Sequence, residues 1–281
     1  KCFTYKVYLL QMKILRTKHD LKEAINKIKN LGFVPTMGSI HNGHISLIKK
    51  SKLKCNKTLV SIYINPKQFN NKKDFSKYPR DIKRDLKILK KHKVNFVFTP
   101  STKEIFKEKR IKKIILPNNQ KILCAKFRKG HFEGVLDIMD RFIKLINPKY
   151  TFMGEKDFQQ LFLVNKFIGK KYKNKIYPCR TVRDKNFLAL SSRNYLLSKN
   201  ELNKAGQIAK YLFKLKSSLK KISQTHNNIL IKKKELQKKF NIKIDYLEVR
   251  NEKNLTALTK NKKIKLFVAY YINKVRLIDN F

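Results

Sequence analysis

Tryptophan is absent from the 281 residues, and only 8 glycines and 7 prolines interrupt them. So few turn formers exclude a collagen-like or loop-rich scaffold and argue against disorder. Four cysteines, Cys2, Cys55, Cys124 and Cys179, stand far apart with no Cys-x-x-Cys pair. That spacing speaks against a disulfide framework or a zinc site and fits free thiols in a reducing cytoplasm. No apolar run approaches the roughly 20 residues of a membrane span. Acidic side chains are scarce too, 19 against 68 basic ones, for a net charge of +49.

An excess of this size points first to a polyanion partner. Its distribution points elsewhere. Lysines fall in nearly every block of ten, on every expected helix and loop, with no stripe, tail or aromatic-interleaved basic motif. Abundant lysine, isoleucine and asparagine match compositional drift toward A/T-rich codons, so no specific nucleic acid is expected. Tight, steeply salt-dependent binding of DNA would support the rival reading.

Hydrophobic residues make up 42%, enough for a proper core. Met12-Lys13-Ile14-Leu15 reads as a natural start, so residues 1–11 are expected to be an N-terminal extension without a role. Leu21, Ala24, Ile25 and Ile28 predict a helix over 20–30, with Asp20 as its N-cap. Gly32–Thr36 reads as a buried strand, followed by a helix carrying Ile45, Leu47, Ile48 and Leu53. Thr58–Ile64 is a continuous β-branched run, as a strand buried on both faces should be. A helix over Asp81–Lys93, with Ile82, Leu86 and Leu89 on one side, leads to a strand at Val94–Phe98. Val135, Ile138, Met139, Phe142 and Ile146 follow helical spacing. Tyr150–Met153, Phe158–Ile168 and Ile176–Val182 then read as strand, helix and strand.

This alternation predicts an α/β, Rossmann-like, doubly wound parallel-sheet domain over 12–182. Beyond it, helices near Lys199–Leu219 and Ile229–Phe240 precede three strands (Ile244–Val249, Ile264–Ile272, Val275–Ile278). They predict a smaller α+β C-terminal lid domain over 183–281 with an antiparallel sheet. Asn70–Lys73 and Lys260–Lys263 read as solvated loops.

Gly38-Ser39-Ile40-His41-Asn42-Gly43 has the Gly-x4-Gly spacing of a phosphate loop, but His44-Ile45 stand where Lys and Ser/Thr belong. A glycine turn opening a helix offers N–H groups and a positive dipole end to an anion, and imidazoles can replace the lysine. Structural histidines, or two of a metal's ligands, remain open readings of the turn alone, though no third ligand stands nearby. Asn65 and Gln68 follow a buried strand, where open α/β sheets bind ligands. Their neutral amides suit a hydroxy acid, although Asn65-Pro66 is also an ordinary strand-ending turn. Gly154-Glu155-Lys156-Asp157 opens a helix after another strand: Asp157 can accept from ribose hydroxyls and Lys156 can reach a phosphate, or the pair can be a cap and a solvated charge. Ser191-Ser192-Arg193 combines two hydroxyls with a bidentate guanidinium, an anion binder or a helix cap.

Val34-Pro35-Thr36-Met37-Gly38…His41-x-Gly43-His44 resembles the signature of the pantoate–β-alanine ligase (pantothenate synthetase) family, within the HxGH nucleotidylyltransferase superfamily. Six further blocks resemble the same family in order and spacing. They are Ser61–Phe69 (SIYINPKQF), Asp74…Tyr78-Pro79-Arg80, Arg128–Val135 (RKGHFEGV), Gly154–Gln160 (GEKDFQQ), Leu190–Asn194 (LSSRN) and Arg276–Asn280 (RLIDN). The resemblance runs from about Met12 to the end. It implies an AMP-forming ligase joining pantoate to β-alanine at the expense of ATP and Mg2+, without a protein-held metal, in a cytoplasmic homodimer. His41, His44, Lys156 and Arg193 are then expected to be catalytic. ATP is expected on these four with Met37, Gly154, Asp157, Ser191 and Ser192, and pantoate on Met37, Asn65, Gln68 and Gln160. A nucleotidyltransferase that stops at the nucleotidyl product is the rival within the superfamily. Three positions depart from the family pattern: Lys129 for proline, Cys124 for a common glutamate, and Asn273 for a glycine, where asparagine tolerates the left-handed region.

Overall fold

Short segments of three to six residues build the central sheet. The computed structural model describes residues 11–70, 72–108, 114–172, 174–219, 226–257 and 263–281. Six strands run parallel in the order β1 (Lys13–Leu15), β4 (Phe96–Phe98), β3 (Lys57–Ile62), β2 (Leu31–Thr36), β5 (Tyr150–Gly154), β6 (Lys175–Cys179). The helices between them are α1 (Lys18–Ile25), α2 (Asn42–Lys54), α3 (Lys72–Ser76), α4 (Ile82–Lys91), α5 (Thr102–Phe106), α6 (Cys124–Phe127), α7 (His131–Ile146) and α8 (Phe158–Val164). The chain steps from β2 through β3 to β4 in one direction and from β5 to β6 in the other. Strand order therefore reverses between β2 and β5, where such sheets place their ligand crevice.

Phe142 of α7 shows how the layers lock. Its ring meets Phe33, Tyr63 and Phe98 edge-on, with centroids 5.9, 6.0 and 5.9 Å away. These are the favoured T-shaped contacts of aromatic cores.

The antiparallel second sheet is β7 (Lys243–Asn251), β8 (Ile264–Ile272) and β9 (Val275–Asn280), beside α9 (Lys199–Ser218) and α10 (His226–Phe240). Side chains alternate across a strand, and β8 uses both faces. Leu266, Val268, Tyr270 and Ile272 join the core formed with α9 and α10, while Phe267 and Ala269 turn into the core of the first sheet. One strand thus ties the two layers together.

Several local expectations change. Thr17, not Asp20, is the N-cap of α1; Asp20 sits three residues in and completes a capping box with it. β1 had no periodic signal, because three residues are too few to show one. Leu53 and Ile82 are exposed rather than on packed faces. The helix expected to Ile168 becomes a π-helical turn over Asn165–Gly169, and β3 and β6 end earlier than expected, at Ile62 and Cys179. The stretch 70–73 is not all loop, since α3 starts at Lys72. Residues 1–10, and 260–262 of the second lysine stretch, lie outside the described residues. Asn273 does adopt φ +50° between β8 and β9. Among the described residues no helix is long and apolar enough to cross a membrane, and Cys55, Cys124 and Cys179 are free thiols.

Candidate active site

A cavity of about 250 Å³ opens at the crossover between β2 and β5. Of the residues expected to bind, Met37, His41, His44, Gln68, Gly154, Lys156, Asp157, Gln160 and Ser191 to Arg193 all line it. Asn65 does not. Its Nδ2 donates to the Gly134 carbonyl (2.9 Å) and its Oδ1 accepts from the Lys67 N–H. With both ends of the amide engaged, Asn65 clamps the turn after β3 to α7. Gly134 allows the approach, because a Cβ there would stand 2.4 Å from the Lys67 carbonyl oxygen.

The glycine turn works differently from a phosphate loop. Gly38 and Ser39 take φ +80° and +52°, bending the chain sharply. The N–H groups of Ser39 and Ile40 that this exposes donate, each at 2.7 Å, to the carboxylate of Asp85 on α4. An internal anion therefore fills the nest. The donors that remain are the imidazoles. His41 Nδ1 accepts from the Gly43 N–H (3.1 Å), and His44 Nδ1 faces the His41 N–H (3.4 Å). With Nδ1 an acceptor, each neutral ring carries its proton on Nε2.

The rings lie 4.1 Å apart, a poor arrangement for two cations. Burial, with Lys156 next, lowers His41 to about 4; burial, then His41 and Lys156, hold His44 well below its ordinary value. Both are neutral donors near pH 7. In a nuclear magnetic resonance titration of the free protein, the ring protons of both are expected to stay put from pH 8 to 5. A midpoint near 6.5 for either would contradict this environment. Because these histidines take protons less readily folded than unfolded, stability is expected to fall with acidification from pH 6.5 toward 4. Each contributes at most about 1.4 kcal/mol per pH unit, which a series of thermal melts would show.

Two further walls complete the cavity. Gly154 ends β5, and a Cβ there would meet open space. The following turn is held by Asn280 of β9, whose Nδ2 donates to the carbonyls of Glu155 and Lys156, both at 2.9 Å. Neighbouring Asp279 pairs with Arg183 at 2.7 and 2.9 Å. On the third wall, Ser191 caps its turn by accepting from the Arg193 N–H, so the hydroxyl proton stays free. Ser192 shares a 2.9 Å hydrogen bond with the buried Tyr78 hydroxyl. Arg193 rests on Asp74 at 2.9 and 3.2 Å. Tyr78→Phe is expected to cost about 1 kcal/mol, read from a urea midpoint.

Gln68, in the short helical turn (Pro66–Gln68) that follows β3, points its Nε2 at the Met37 sulfur, 2.6 Å away. A family model described as pantoate-beta-alanine ligase matches residues 13–281. The pantothenate synthetase of Azobacteroides pseudotrichonymphae genomovar. CFP2 is 39% identical over 285 residues, 96% of this chain and 99% of its own. A pantothenate synthetase structure from Thermus thermophilus has TM-score 0.87 at 28% identity, covering 96% and 99% of the two chains. A pantoate–β-alanine ligase from Francisella tularensis, complexed with β,γ-ATP and β-alanine, has TM-score 0.81 at 35% identity, covering 96% and 97%. The chain belongs to the pantoate–β-alanine ligase family.

Three supports of this family site escaped the sequence reading. Asp85 had a legible signal: it falls beside Leu86 and one turn before Leu89 on the inward stripe of α4, where a solvated charge has no place, and it is 1% exposed. Tyr78 and Asp74 lie in quoted blocks, but their partners are more than 110 residues away and nothing local reveals them. The closing Arg-Leu-Ile-Asp-Asn block proves partly architectural, since its Asp279 and Asn280 pin Arg183 and the 155–157 turn.

Proposed function

We propose that this ligase makes pantothenate from pantoate and β-alanine through a pantoyl adenylate, with ATP entering as its magnesium complex. A pantoate carboxylate oxygen attacks the α-phosphorus; the new O–P bond forms as the bond to the β-phosphate oxygen breaks, and pyrophosphate leaves. The β-alanine nitrogen then attacks the acyl carbon. The C–N bond forms, the acyl C–O bond breaks, AMP leaves with the electron pair, and the two protons lost by the ammonium pass to solvent.

What carries this reading is the pair of imidazoles, locked by the backbone into donors and facing Lys156 and Arg193 across one cavity. Neutral Nε2–H groups of His41 and His44, the Lys156 ammonium and the Arg193 guanidinium surround the position where phosphate charge develops. Ser191 and Ser192 add hydroxyls. Asp157 accepts from the ribose, and Gly154 admits it closely. Met37, Gln68 and Gln160 orient the pantoate; Asn65 acts only by shaping the turn that carries Gln68. No protein atom becomes covalently attached, so rate enhancement comes from alignment and charge neutralisation. We place the reaction in the cytoplasm and the chain in a homodimer, which light scattering would test.

The decisive assay follows AMP release with pantoate, β-alanine and ATP, omitting each in turn. AMP is expected only with all three. Release of a nucleotidyl product as the end point, with no demand for β-alanine, would favour the nucleotidyltransferase rival.

A further inference from the structure

One corner of the cavity has no part in the roles above. Arg276 of β9 donates from Nε to Asp245 at 2.8 Å, its guanidinium also meets the Tyr271 side chain, and its two terminal nitrogens stand 3.6 and 3.8 Å from the Cys124 sulfur. A thiol is a weak acceptor, and this one already shares a 3.1 Å contact with the Tyr246 hydroxyl. Arg128 stands beside it, with one terminal nitrogen on His131 Nε2 (3.0 Å) and the other reaching the Gln68 carbonyl at 3.5 Å. Its nearest carboxylate, Asp74, is 3.9 Å away and belongs mainly to Arg193.

Both guanidiniums are largely shielded from solvent, at 14% and 16% exposure. Burial, and next the charge of Arg193, push Arg128 down to about 10, as expected of crowded cations. Around the whole cavity five basic side chains face two acidic ones, Asp157 and Asp279, and Asp279 is engaged by Arg183. Desolvated guanidiniums with underused donors call for an anion, and a carboxylate matches their planar fork. The donors suited to phosphate stand on other elements, His41 and His44 after β2 and Lys156 after β5. This corner instead adjoins Gln68, whose carbonyl also receives the His131 Nδ1–H at 2.7 Å.

We propose that Arg128 and Arg276 form the subsite for the carboxylate of the amino-acid co-substrate and so measure its length. This deepens the ligase reading and rests on it. A carboxylate held there places an amine two methylenes away toward the acyl group oriented by Gln68. The same positive field disfavours the ammonium and helps deliver the neutral nucleophile.

The test compares wild type with Arg276→Gln and Arg276→Lys in two assays. One is pantoate-dependent exchange between ATP and labelled pyrophosphate, which needs no amine. The other is kcat/KM for β-alanine against β-alaninamide, which has the same length but no carboxylate. Wild type is expected to prefer β-alanine strongly. Arg276→Gln should keep exchange and its pantoate KM, lose about 10–100-fold in kcat/KM for β-alanine, and treat the two amines nearly alike; Arg276→Lys should recover part of the preference. Equal use of both amines by wild type overturns the subsite whatever the variants do. So does an unchanged preference in Arg276→Gln, or a rise in pantoate KM during exchange. Absence of exchange in wild type would remove the ligase reading and the subsite with it, whereas exchange with no preference removes the subsite alone.

Discussion

Replacing His44 with alanine is expected to slow adenylate formation about 10²–10³-fold while leaving the protein folded. The ring lines the cavity, neutral, and committed through Nδ1 to the His41 N–H, so the substitution deletes one oriented Nε2–H donor. Since the donor works on charge that grows in the transition state, kcat should fall more than the ATP KM rises. His44→Gln, which retains a donor without the imidazole's placement, should fall in between. Pyrophosphate release in single turnover, beside a thermal melt, would check this. Wild-type release by a folded His44→Ala would remove the histidine from the mechanism.

Asp85→Ala should be the most damaging change outside the cavity wall. The carboxylate accepts two backbone hydrogen bonds of 2.7 Å from a turn whose Gly38 and Ser39 occupy left-handed backbone conformations. Without it, two buried N–H groups lose their acceptor, and the bend is left to the 3.2 Å hydrogen bond from the Gly38 N–H to Thr36 Oγ1 and the packing of Ile40. A loss of about 3–5 kcal/mol is expected, on the scale of charge-assisted bonds left unmade. Asp85→Asn keeps one acceptor oxygen and should lose about half as much. The denaturation midpoint reads the stability, and activity should decline with it as His41 and His44 lose their fixed entry into α2. A cost under about 1 kcal/mol for Asp85→Ala would show that the turn holds itself.

These two residues mark what was legible in the chain and what was not. His44 stood in a spaced motif just after Gly38 and Gly43, and local chemistry raised phosphate binding from the turn alone. Its tautomer was invisible there, because it depends on which backbone N–H meets Nδ1. Asp85 was readable only as an acid out of place on an apolar stripe. The α/β alternation was legible because β2 and β3 are buried continuously and the helices between strands repeat at helical spacing. β1 was too short to register, and the shared core under β8 was hidden because each face of that strand looks equally apolar. Asn65 stayed ambiguous for a related reason: a neutral amide after a strand serves a ligand or a turn equally well, and its bond to the Gly134 carbonyl is visible only in the fold. Arg193 was read as an anion binder, but its rest on Asp74 crosses 119 residues and leaves no trace in spacing.

The central claim is that a pantoate oxygen becomes bonded to the α-phosphorus. Carrying out the complete reaction with pantoate labelled by 18O in its carboxylate, and weighing the AMP and pyrophosphate produced, tests it directly. One labelled oxygen is expected in AMP and none in pyrophosphate; label in pyrophosphate or inorganic phosphate, with AMP unlabelled, would contradict the account.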